Sequence, residues 1–124
     1  MKISEAVQIF ALTAFLIICG TLNNTAEAAE REIEIYNNTG YTIERLYISP
    51  IHMSGVSYWD LLGDRILYNS DHTTVEIADG YKYFKIKIVF SNGESCKWDG
   101  LILEGATKIT FSSSDNGRFR AKAD

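Results

Sequence analysis

Lys82-Tyr83-Phe84-Lys85-Ile86-Lys87-Ile88-Val89-Phe90 decides the fold class of this 124-residue chain. Its even positions, Phe84, Ile86, Ile88 and Phe90, are large and apolar, while the odd ones hold Tyr83, Lys85, Lys87 and Val89. Successive side chains of a strand point to opposite faces, so this period of two predicts a β-strand with one face in a core. Lys85 and Lys87 then lie on the outward face, where they solubilise the sheet and discourage edge pairing.

Downstream, Asn92-Gly93 predicts a hairpin into a strand over Ser95 to Leu103. Two signals disagree about its register. A two-residue type I′ turn, which Asn-Gly favours, sets Ile88 opposite Lys97 and Phe90 opposite Ser95. A bulged or three-residue connection pairs Phe90 with Cys96, Ile88 with Trp98 and Ile86 with Gly100, keeping apolar groups on one face. Burial outweighs turn preference, because a slip of one residue inverts the faces of the strand. The expectation is therefore Trp98 in the core, with Gly100 relieving crowding near Ile86.

The remaining chain reads in the same way. Strands are predicted over residues 32–36, with Ile33 and Ile35 inward, and over 42–49, 66–68, 73–78 and 108–112. Ile43, Leu46 and Ile48 do not share one parity, which a bulge near Glu44-Arg45 would reconcile. Asn37-Asn38-Thr39-Gly40, Asp79-Gly80 and Gly105 supply turns, and Pro50 ends its strand. The Tyr58 to Leu62 stretch reads as a single helical turn closed by Gly63, and no helix-length pattern follows the leader. Seven short strands predict an all-β, antiparallel β-sandwich over residues 29–112, with a small barrel as the alternative and a polar, frayed tail over 113–124.

Residues 1–28 read as a secretory signal peptide. Lys2 supplies the positive start, Ala6 to Ile18 the apolar stretch, and Ala26-Glu27-Ala28 the small-x-small pattern cut before Ala29. The apolar stretch is too short for a membrane span, so the mature chain carries no transmembrane segment. Cys19 sits where a bacterial lipoprotein would bear its lipid, although Ile18 fits that peptidase poorly, which leaves a lipid anchor at Cys19 as the lesser alternative. The expected location is outside the cytoplasm, periplasmic or secreted. Of 12 basic and 16 acidic side chains, Lys2, Glu5 and Glu27 lie in the leader, leaving 11 against 14. That mild acidic balance argues against nucleic acid as a partner. Cys96 is the one cysteine beyond the leader, so no intramolecular disulfide is available, and its parity with Trp98 predicts a buried thiol.

The strings IYNNTGYTIERLYISP (Ile35 to Pro50), WDLLGDRIL (Trp59 to Leu67) and YFKIKIVFSNG (Tyr83 to Gly93) resemble a family of small exported bacterial β-sandwich proteins of unknown function. The resemblance covers most of the chain beyond the leader. It implies a bacterial exported protein but no catalytic residues. Cysteines common in that family near Tyr83 and Leu103 are absent, and so is any disulfide they would make.

Few residues carry chemistry. His52 and His72 are the available general bases, yet no H-x-x-x-H or G-x-S-x-G surrounds them, and a solvated loop histidine is the simpler reading. Asp60, Asp64, Asp71 and Asp79 fall in predicted loops, with Asp60 and Asp64 the pair to consider for calcium. No D-x-D-x-D-G loop accompanies them, and turn capping accounts for such residues. Tyr58 and Trp59 are the candidate ligand-binding residues, because exposed aromatic rings make recognition surfaces at small entropic cost. The opposing reading makes Trp59 a core-edge plug beside Leu61 and Leu62. Asn37-Asn38-Thr39 matches a glycosylation sequon, but the turn explains those residues. The leading functional expectation is a non-enzymatic binding domain of the cell envelope, with no cofactor, recognising an envelope or extracellular protein or glycan. The alternatives are a small secreted hydrolase using His52 or His72 and a calcium-dependent binding module.

Overall fold

Alternating apolar residues build two sheets that face each other. The computed structural model describes residues 29–52 and 59–124, so the predicted leader with Cys19, and Tyr58, lie outside the described residues. The strands are β1 Glu30–Asn38, β2 Ile43–Pro50, β3 His72–Ala78, β4 Tyr83–Phe90, β5 Ser95–Ile102, β6 Lys108–Ser113 and β7 Phe119–Ala123. One sheet runs β3-β1-β6-β7 and the other β2-β4-β5. This is the predicted seven-stranded all-β sandwich, and the sheets do not close into a barrel.

The odd positions of β1 bury Ile33 and Ile35, those of β3 bury Val75 and Ile77, and those of β6 bury Ile109 and Phe111. From the other sheet come Leu46 and Ile48 of β2 and the even positions of β4. Each such side chain contributes roughly 1.5–3 kcal/mol by leaving water, so these rows hold the sheets together. The parity break in β2 is a bulge: register with β4 shifts between Ile43 and Arg45, as the sequence required.

Three features of the strand layout differ from the expectation. β1 and β6 pair in parallel, Ile35 opposite Ile109, so the sandwich is antiparallel everywhere except at its centre. The stretch 66–68 makes one bridge, Leu67 to Ile43, rather than a strand. The tail is not frayed. β7 pairs with β6, and Phe119, Ala121 and Ala123 pack on the core, with Phe119 4.9 Å from Phe90 and 5.9 Å from Tyr41 between ring centroids. The period of two in Phe-Arg-Ala-Lys-Ala carried that signal, masked by the small size of alanine.

The β4–β5 hairpin has the predicted three-residue connection. The Phe90 N–H donates to Glu94 O at 2.8 Å, and Ser91, Asn92 and Gly93 lie between them. The partners are shifted by two residues from the expected ones: Ile88 faces Cys96 and Ile86 faces Trp98. Parity is preserved, so Trp98 and Cys96 still point inward, but as residues of an edge strand both are half-buried against the core rather than enclosed in it. Gly100 does not relieve crowding at Ile86. It is the extra residue where the register shifts between Phe84 and Lys85, with φ +99°, a conformation that side-chain-bearing residues rarely adopt.

The Asn37-Asn38-Thr39-Gly40 turn is a buried polar knot. Asn37 Nδ2 donates to the carbonyls of Tyr41 at 2.7 Å and Leu67 at 2.9 Å, while its Oδ1 accepts from Thr39 N at 3.1 Å and Thr39 Oγ1 at 2.7 Å. Among the described residues no buried side-chain nitrogen or oxygen is left without a partner, and the sequon nitrogen is engaged and shielded from solvent.

Candidate functional site: a groove between two sheet edges

β2 and β3 end their sheets on the same side of the sandwich, and a groove of about 920 Å³ runs between them. Its floor is apolar, from Ile48, Pro50, Leu61, Val75 and Ile77, and its rim carries Glu30, Glu32, Glu76 and Trp59. In an antiparallel ladder alternate residues turn both backbone polar groups towards their neighbour and the rest turn them away. Asn37 N–H bonds Asp71 O and Asp79 N–H bonds Ala29 O, which assigns the odd residues of β3 to β1. Among the described residues no strand pairs with the far side of β3, and Thr74 and Glu76 present their N–H and C=O groups along that edge.

The neighbouring edge of β2 is partly covered. Leu46 N–H donates to Asp60 Oδ1 at 2.9 Å, Leu61 N–H donates to Leu46 O at 2.7 Å, and Leu67 bridges Ile43. Asp60 Oδ1 also accepts from Leu62 N–H at 3.1 Å. The carboxylate thus caps the turn and blunts the β2 edge. Arg65 closes one end of the groove, donating to Leu62 O at 3.1 Å, Leu61 O at 3.0 Å and Thr73 Oγ1 at 2.7 Å.

Trp59 is 75% exposed, so the core-edge reading fails for it; Leu62 fills the core in its place. The sequence left that choice open because Trp59, Leu61 and Leu62 compete for one inward position. Asp64 is exposed in the Leu61–Asp64 turn, and among the described residues no three His, Cys, Asp or Glu side chains are gathered as metal ligands. Asp71 and Asp79 cap their own turns through the N–H groups of His72 and Gly80. His52 is exposed beyond β2, and His72 stacks on Tyr36 with centroids 5.0 Å apart on the outer face of the sheet; neither lines the groove.

Sequence reading missed the acidic members of the site. Glu30, Glu32 and Glu34 alternate along the outer face of β1, and Glu32 faces Glu76 across the ladder. Glu30 crowds Glu76 as well, and the hydrogen bond and charge of Glu30 raise the Glu76 pKa above the usual carboxylate range. The alternation was legible in residues 30–34, but the contribution of Glu76 depends on which strand lies beside β1. Among the described residues, none of these glutamates forms a salt bridge. Comparison with family models, curated proteins and solved structures finds no match for this chain.

Proposed function

We propose that this is an exported bacterial binding module, of the small β-sandwich kind that the three sequence strings resemble, and that it takes an extended segment of another envelope or extracellular protein into the β2–β3 groove. The observation that carries this reading is the coincidence, in one groove, of an open strand edge, an apolar floor and an exposed tryptophan. An extended chain gains main-chain hydrogen bonds from such an edge and specificity from alternate side chains placed in the groove. A flat glycan surface would make no use of the Thr74 and Glu76 backbone groups.

Lys2, the apolar run and Ala26-Glu27-Ala28 support export, and β1 begins at Glu30, immediately after the expected cut. Two measurements test the proposal. The intact mass of the native protein should correspond to an unacylated chain starting at Ala29; a diacylglyceryl group on Cys19 would replace the soluble reading by an anchored one. Amide exchange recorded with and without a library of extended peptides should slow at Thr74 and Glu76, and binding confined to other surfaces would remove the groove from the mechanism.

A further inference from the structure

Building on the groove reading above, we infer that the occupant is an amphipathic cationic strand, with basic and apolar residues alternating. Residues facing one another across a ladder share a face of the sheet. A segment added beside β3 therefore has one set of side chains next to Thr74 and Glu76 on the outer face, and the other next to Val75 and Ile77 on the inner face.

The two faces differ sharply. On the inner side the segment meets Val75, Ile77, Ile48 and Pro50, an apolar surface matched by Val, Ile or Leu. On the outer side it meets Glu76, with Glu32 directly behind it in the ladder and Glu30 beside them. Three carboxylates with no basic partner among the described residues repel one another, and cationic side chains relieve that repulsion as they bind. Trp59 on the opposite rim offers a ring face to a lysine or arginine, a contact that strengthens as water leaves. The basic residue of the groove, Arg65, is tied to Leu61, Leu62 and Thr73, which leaves the glutamates uncompensated. An acidic or neutral strand finds the same edge and floor but no counter-charge.

The test uses three capped synthetic heptapeptides alternating valine with lysine, serine or glutamate, titrated into the protein at low and physiological salt. Binding is followed by Thr74 and Glu76 amide exchange and by Trp59 emission in a Trp98→Phe background. The lysine peptide should bind about tenfold more tightly than the serine peptide at low salt, the sum of a few partly screened pairs. The advantage should shrink at higher salt and largely vanish in E32Q/E76Q, whose folding is checked by its unfolding midpoint. Equal binding of the lysine and serine peptides, or an advantage that survives E32Q/E76Q, overturns the cationic inference while leaving the groove in place. If no peptide slows exchange at Thr74 and Glu76, the groove reading itself fails.

Discussion

Trp98 stacks on Phe111 across the sandwich, with ring centroids 5.4 Å apart and planes 29° apart, joining edge strand β5 to the interior of the opposite sheet. β5 buries no residue fully: Trp98, Cys96, Gly100 and Leu101 are all half-covered, and Trp98 is the largest of them. The stack is therefore the one aromatic tie between β5 and the other layer among the described residues. Trp98→Ala should destabilise the protein by about 2–4 kcal/mol, below or near the range for a fully buried tryptophan, whereas Trp98→Phe should lose less than half of that. Urea unfolding of the three proteins checks the order, and a loss under 1 kcal/mol for the alanine variant would mean that β5 is held by its ladder alone.

The Asn37 knot should be costly to break. Asn37→Ala removes both donors to Tyr41 O and Leu67 O and leaves the Thr39 hydroxyl and N–H short of an acceptor, a loss expected at about 2–4 kcal/mol. Asn37→Asp keeps the acceptor but places a carboxylate against two carbonyls, and should be at least as harmful. Equilibrium unfolding measures both.

Burial first, and the Glu94 charge second, push the Cys96 thiol pKa up. The native protein should therefore react with a bulky maleimide at neutral pH at least tenfold more slowly than in urea, because the thiolate is the reacting form. Comparable rates would place Cys96 on the accessible side of the edge strand.

Glu76 gives a pH signature of defined sign. Its folded pKa lies above the unfolded value because of Glu30, so the native state binds the proton more tightly. The associated stability is present in acid and lost as pH rises through the folded pKa. Glu76→Gln should accordingly be neutral or slightly stabilising at pH 7 relative to the parent, with that difference disappearing below the carboxylate range. Thermal melts across pH 3–8 would show it; a difference that grows in acid contradicts the Glu30–Glu76 contact.

The strands were legible wherever one face is greasy and the other wet. β4, with Phe84, Ile86, Ile88 and Phe90 inward, is the clearest case, and the β2 bulge followed from the parity of Ile43, Leu46 and Ile48 alone. β7 was lost because alanine carries too little apolar area to mark a face. The parallel β1–β6 pair was not legible, since local pattern fixes which face of a strand is buried but not which distant strand lies beside it. The site divides along the same line. Trp59 stood out as an aromatic in a loop, whereas Glu76 joins Glu30 and Glu32 only through the β1–β3 pairing.

The parallel pairing of β1 with β6 also governs when the fold can form. β1 lies in the interior of its sheet, and one flank is supplied by residues 108–112, more than seventy positions along the chain from Glu34 to Ser112. Closing so long a loop carries an entropic cost that local contacts do not offset until the second flank arrives, so the folding nucleus has high contact order and assembly is slow. The β2-β4-β5 sheet and the β1–β3 pair lie upstream of β6, but β1 lacks its second flank until β6 is available. The topology thus ties completion of the four-stranded sheet to the arrival of β6 beside β1.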